Sequence, residues 1–120
     1  MATILIIEAE PRLRELYRRD LELEGYAVVT SASVEEEIER SGNDCPDLVV
    51  LDLQMPGIGC PEMVRRLKGR CPDERILINS AYSAHIDDFV CVGADAYVTK
   101  STNTKALRAK IRELLASEAA

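Results

Sequence analysis

The sequence predicts an α/β fold in which helices flank one parallel sheet. Three observations carry that expectation. Short apolar runs alternate five times with segments of helical period, and the connections between them are short. The run Leu48-Val49-Val50-Leu51 ends on Asp52 and lies between Pro46 and Pro56-Gly57, as expected of a strand buried on both faces. Parallel strands need crossover segments, and the helical stretches supply them. With no internal repeat and no low-complexity linker, residues 1–120 read as a single domain.

The elements follow in order. Residues 4–7 are β-branched and aliphatic, hence a first buried strand. Pro11 suits the first turn of a helix, and Leu13, Leu16, Tyr17 and Leu21 recur at helical spacing until Gly25 caps it. Residues 26–30 form the second strand. Ser33 with Glu36 makes a capping box for a short acidic helix to about Arg40, and the run Glu35-Glu36-Glu37 reads as its solvated face. Residues 47–52 are the central strand. A helix with Met63, Val64 and Leu67 on one face follows Pro61, with 69–73 as loop. Residues 75–80 form a strand ending on a hydroxyl. Residues 84–92 form a short helix capped by Gly93, and His85 is a surface residue of it. Residues 96–99 lead to Lys100. Thr102 or Asn103 opens the last helix, whose stripe is Leu107, Ile111, Leu114 and Leu115.

The formal net charge of −6 disfavours direct binding to nucleic acid or anionic membrane. No apolar run approaches the ~20 residues that span a bilayer, and residues 1–7 lack the basic start of a signal peptide, so the expected location is cytoplasmic. The cysteines at 45, 60, 71 and 91 form no C-x-x-C pair. Free, mostly buried thiols are the expectation, and a disulfide the lesser alternative.

Residues that follow the strands would gather at one edge of a parallel sheet, where open α/β sheets bind ligands. They are Glu8 and Glu10, Asp52, Ser80 and Lys100. Singly, Asp52 is a strand-end cap, Ser80 a turn residue and Lys100 a solvated charge. Together, acids attract a hard divalent cation, and a hydroxyl with an ammonium can hold an anion's oxygens. That set suits phosphoryl transfer, with Asp52 as the nucleophile.

Four segments carry a resemblance: Ile4-Leu5-Ile6-Ile7-Glu8, Leu51-Asp52-Leu53-Gln54-Met55-Pro56-Gly57, Asn79-Ser80-Ala81-Tyr82, and Gly93-Ala94-Asp95-Ala96-Tyr97-Val98-Thr99-Lys100. In order and spacing the chain resembles a response-regulator receiver domain of two-component signalling over essentially its whole length. The resemblance implies a flavodoxin-like (βα)5 fold with strand order 2-1-3-4-5 and helices on both faces. It implies a signalling domain rather than an enzyme, limited to self-phosphotransfer and autodephosphorylation. Asp52 matches the phosphoacceptor. Ser80 matches the switch hydroxyl, Tyr97 the aromatic that changes rotamer with it, and Lys100 the lysine that contacts a phosphoryl oxygen. Mg2+ would be held by Glu8, Asp52 and the backbone carbonyl of Gln54. A sensor histidine kinase or phosphotransfer protein would be the donor. A downstream partner or output domain would read the face of the fourth predicted helix, fifth strand and last helix, with homodimerisation an open alternative.

The sequence departs from the family at the first strand, where two adjacent acids are usual and Glu8-Ala9 stands instead. Alanine cannot bind a metal, so weakened Mg2+ binding and slower phosphotransfer are expected. The alternative is a pseudo-receiver that acts as a phosphorylation-independent interaction module. Ser101 replaces the usual proline after the lysine, which opens the question of the peptide geometry there. A phosphatase of the haloacid dehalogenase type is the weaker enzyme reading, since Glu8-Ala9-Glu10 lacks an aspartate nucleophile.

Overall fold

A computed structural model of the chain describes residues 1–41, 44–52, 59–81 and 93–119. The elements are β1 (Thr3–Ile7), α1 (Pro11–Leu23), β2 (Ala27–Ser31), α2 (Val34–Ser41), β3 (Leu48–Asp52), α3 (Cys60–Arg70), β4 (Arg75–Ser80), β5 (Ala96–Thr99) and α4 (Lys105–Ala119). All four strand pairings are parallel, in the order β2-β1-β3-β4-β5. The expected architecture and strand order are therefore present. The helix expected over 84–92 with His85, and the turn containing Gln54, lie outside the described residues.

Side chains alternate across the sheet, as the period of a strand requires. Leu5, Ile7, Val49, Leu51, Ile76 and Ile78 point to one face, where α2 and α3 supply Val34, Met63, Val64 and Leu67. Ile4, Ile6, Leu48, Val50 and Leu77 point to the other, against Tyr17 and Leu21 of α1 and Leu107 and Ile111 of α4. Every residue of β3 is buried. At about 1.5–3 kcal/mol for each large aliphatic side chain taken out of water, these two cores hold the strands in place.

Local chemistry sets the helix ends. Pro11 stands in the first turn of α1, and the Glu10 carboxylate accepts the Arg12 N–H at 3.0 Å. At the other end Gly25 takes φ +99°, its N–H bonds to Glu22 O and the Tyr26 N–H to Leu21 O, which is a Schellman closure. Ser33 Oγ accepts the Glu36 N–H at 3.1 Å, as the capping box requires.

Several boundaries differ from expectation: β1 begins one residue earlier, at Thr3, and β3 one residue later, at Leu48. β2 runs Ala27–Ser31, one residue later, because Ala27 pairs with Thr3 and Ser31 with Ile7. α3 continues through Gly69 to Arg70 and ends on Cys71, whose N–H bonds to Leu67 O. α4 opens at Thr104, not Thr102 or Asn103: the Thr104 carbonyl accepts the Arg108 N–H and its Oγ1 donates to Asp20 Oδ2 at 2.6 Å. Asn103 instead forms a turn, its Oδ1 accepting the Lys105 N–H.

Two expectations about side chains are corrected. Glu35 and Glu36 are exposed, but Glu37 is buried at 3%, because it flanks the inward stripe of Val34 and Ile38 and pairs with Arg40. Cys45 and Cys71 are joined in a disulfide rather than being free thiols. The crossovers bring the segment before β3 against the end of α3, with the two Cα atoms 5.7 Å apart. Among the described residues no helix is long and apolar enough to cross a membrane.

Gly93 takes φ +98°, and a Cβ there would stand 2.9 Å from Val64 Cγ1. Gly93→Ala would combine left-handed strain with a clash into the α3 face of the core. The expected cost is about 2 kcal/mol, read as a lower urea midpoint; an unchanged midpoint would show that the core gives way there.

Candidate functional site

The sheet register assembles the site. Ile7 lies opposite Leu51, so Glu8 and Asp52 follow side by side at the carboxyl edge. Asp52 lies opposite Asn79, and Ser80 opposite Thr99, the residue before Lys100. The Lys100 N–H donates to Ser80 O at 2.6 Å, which fixes the start of the segment after β5. All peptide bonds described are trans, that between Lys100 and Ser101 included. Glu8, Asp52, Asn79 and Ser80 are all buried.

Lys100 Nζ lies 2.8 Å from Glu8 Oε1 and 3.2 Å from Asp52 Oδ2. One ammonium thus serves two buried carboxylates, and the cluster keeps an excess negative charge. Burial pushes the Glu8 carboxyl above its ordinary range; Lys100 and the Glu10 N–H oppose that, and the Asp52 charge reinforces it. Burial alone would lower Lys100, but Glu8 and Asp52 outweigh it and hold the ammonium above its ordinary value.

The sequence-predicted residues Glu8, Asp52, Ser80 and Lys100 are therefore brought together. Glu10 is not part of the cluster, since its side chain caps α1 while its N–H donates to Glu8 Oε2 at 3.1 Å. Tyr97 is half-buried and packs against the α2/α3 core face. Two neighbours were not foreseen. Arg14 reaches back from α1, its Nη1 donating to Glu8 O at 2.8 Å. Tyr17 is buried at 1%, and burial raises its phenol, opposed by the neighbouring Asn79 side chain and the Lys100 charge. Its place in the apolar stripe of α1 hid the polar end, and Asp52 pairs with Asn79 because β3 begins at Leu48 opposite Arg75, a register that the expected strands 47–52 and 75–80 do not give.

The donor set bears on a divalent cation. Mg2+ commonly takes one or two carboxylates and completes its shell with water and phosphate oxygens. Glu8 and Asp52 meet that minimum, while Ala9 is exposed and offers no side-chain oxygen. Among the described residues no group of three His, Cys, Asp or Glu stands close enough to hold a metal. The residues fit a hydrated ion in reduced form, with Lys100 drawn off at least one carboxylate.

Residues 4–112 match the family described as response regulator receiver domain. The chain is 35% identical over 117 residues to the transcriptional regulatory protein AfsQ1 of Streptomyces coelicolor, covering 96% of this chain and 52% of that protein. The chain spans about half the length of the curated relatives it matches. Its fold is similar to that of the response regulator TrrA of Thermotoga maritima in complex with Mg2+-BeF, with a TM-score of 0.84 and 36% identity over 95% of this chain and 99% of TrrA. It is equally similar to TrrA in complex with the histidine kinase ThkA, with TM-score 0.84, 36% identity, and 96% and 99% coverage.

Proposed function

Because this chain belongs to the response-regulator receiver family of two-component systems, we propose that Asp52 accepts a phosphoryl group from a histidine kinase or phosphotransfer protein. The carrying observation is the meeting of Asp52 with Lys100 and Ser80 at the carboxyl edge of the sheet. An Asp52 oxygen bonds to phosphorus as the phosphorus–nitrogen bond of the donor phosphohistidine breaks, and the imidazole leaves. Lys100 then exchanges its contact with the carboxylate for one with a phosphoryl oxygen, and the Ser80 hydroxyl donates to another. Mg2+ held by Glu8, Asp52 and the Gln54 carbonyl would neutralise charge on the transferring group. The kinase as donor is supported by the likeness to TrrA, which forms a complex with ThkA. Movement of Ser80 is read out by Tyr97 on β5, beside the face that a downstream partner or an attached output domain would engage. The proposed compartment is the cytoplasm, and residues 1–120 act as a single receiver domain.

Ala9 and the seat of Lys100 between the two acids favour a second reading, a module that works without phosphorylation. Acetyl phosphate with Mg2+ separates the two. The expected result is a gain of one phosphoryl mass, absent in Asp52→Asn and faster in Ala9→Asp. If neither acetyl phosphate nor a kinase phosphorylates the wild type, the phosphoacceptor role is lost and the second reading stands.

A further inference from the structure

The disulfide Cys45–Cys71 lies at the opposite end of the sheet from Asp52 and takes no part in phosphoryl chemistry. It spans 26 residues and ties the segment leading into β3 to the residue that ends α3. Its two halves differ in access. Cys45 is exposed and lines two adjoining clefts, one beside Glu37 and Arg40 of α2, which Cys71 does not reach, and one beside Pro72 and Glu74, which Cys71 also lines. Cys71 is 2% exposed. A thiolate attacks a disulfide along the sulfur–sulfur axis at the sulfur it can reach, and the other sulfur leaves. Cys45 is thus the sulfur under attack and Cys71 the leaving group.

The charge around the clefts narrows the reductant. Asp44, Asp47 and Asp73 are all exposed at the rim. Carboxylates there repel an anionic monothiol such as glutathione, whereas a dithiol needs only one encounter, because its second sulfur completes the exchange within the mixed disulfide. β3 is secured without the bridge: the Asp47 N–H bonds to Thr3 O, the Arg75 N–H to Asp47 O, and the Thr3 N–H to Asp47 Oδ2. The fold can therefore survive reduction.

We propose that Cys45–Cys71 is a thiol–disulfide switch, opened by a dithiol reductant through Cys45, that sets how firmly the end of α3 is clamped to the start of β3. One thiolate of the dithiol bonds to Cys45 Sγ, the Cys45–Cys71 bond breaks, and Cys71 leaves as a thiolate that takes up a proton. The second thiol, losing its proton, attacks the mixed disulfide, closes the reductant's own disulfide and releases Cys45 as a thiolate. Two electrons pass from the dithiol to the protein disulfide.

The test uses the whole chain. A non-reduced digest of air-oxidised protein should contain the peptide pair joined through Cys45 and Cys71, and dithiothreitol should abolish it and lower the melting temperature by roughly 10 °C. Partial reduction by the neutral monothiol 2-mercaptoethanol, quenched with an alkylating agent, should place the mixed disulfide on the Cys45 peptide and the alkyl group on Cys71. Dithiothreitol should reduce the bridge at least about tenfold faster than glutathione at equal thiolate concentration. Cys45→Ser should melt at the temperature of the reduced wild type, with or without dithiothreitol. No joined peptide, an adduct on Cys71, equal melting temperatures in both redox states, or faster reduction by glutathione would each overturn the proposal. None of these readouts involves Asp52, so they stand or fall apart from the phosphoacceptor role.

Discussion

Lys100→Ala is expected to lower the stability of the fold by about 3 kcal/mol at pH 7.5, because it strips the counter-ion from two buried carboxylates at once. The Glu8 and Asp52 side chains are 3% and 6% exposed, and Lys100 Nζ stands within 3.2 Å of both. At a surface such pairs contribute little, since water and salt screen them. Here the Lys100 side chain is itself only 14% exposed, so neither screening nor solvation replaces its charge. Two like charges then face each other in a site where each also lacks water. A double-mutant cycle isolates the effect. Asp52→Asn alone removes the excess negative charge and should not destabilise; combined with Lys100→Ala it should recover more than half of the loss. Urea titrations of the four proteins provide the measurement. Additive losses would mean that Lys100 and Asp52 do not act on each other, and Asp52 would then lie open to solvent in a way the 3.2 Å contact contradicts.

The membership of this cluster was legible in the sequence, and its internal arrangement was not. Each member follows an apolar run, and parallel strands bring their carboxyl ends to one edge, so Glu8, Asp52, Ser80 and Lys100 could be gathered by pattern alone. That Lys100 sits between the acids depends on the register of β5 against β4, with Val98 opposite Asn79, and on a flexible side chain turned back over the edge. Tyr17 stands in an apolar helical stripe where its ring satisfies the pattern and its hydroxyl leaves no trace. The disulfide joins residues 26 apart, and spacing alone cannot pair four cysteines. The acidic run of α2 misled for a related reason. A charge run suggests solvent, but on a helix of eight residues Glu37 falls beside Val34 and Ile38, and the packing of α3 closes over it.

That same packing buries Glu74, which should make the stability of the protein fall as the pH rises from about 5 to about 8. Its side chain is 0% exposed, and Arg70 Nη2 is 4.0 Å away. Burial pushes its carboxyl up to about 7 from an ordinary value of 4.5; Arg70 and Lys68 of α3 oppose the rise, and Glu37 of α2 adds to it. Between those two values the folded chain keeps a proton that the unfolded chain releases. The contribution of Glu74 to stability is therefore complete below the ordinary carboxylate range and is lost as the pH climbs through about 7. The separation of the two values sets a ceiling of about 3 kcal/mol on that loss. Glu74→Gln keeps the shape of the protonated acid and cannot ionise. It should match the wild type below about pH 4 and exceed it by up to about 3 kcal/mol at pH 8.5, with Arg70 retaining Glu37 at 3.9 Å as a partner. Glu8, also raised by burial, titrates in both proteins, so the difference between their urea midpoints across pH isolates Glu74. Parallel pH profiles for the two proteins would show that the Glu74 carboxyl is ionised in the folded state throughout, with Arg70 closing on it as a full ion pair.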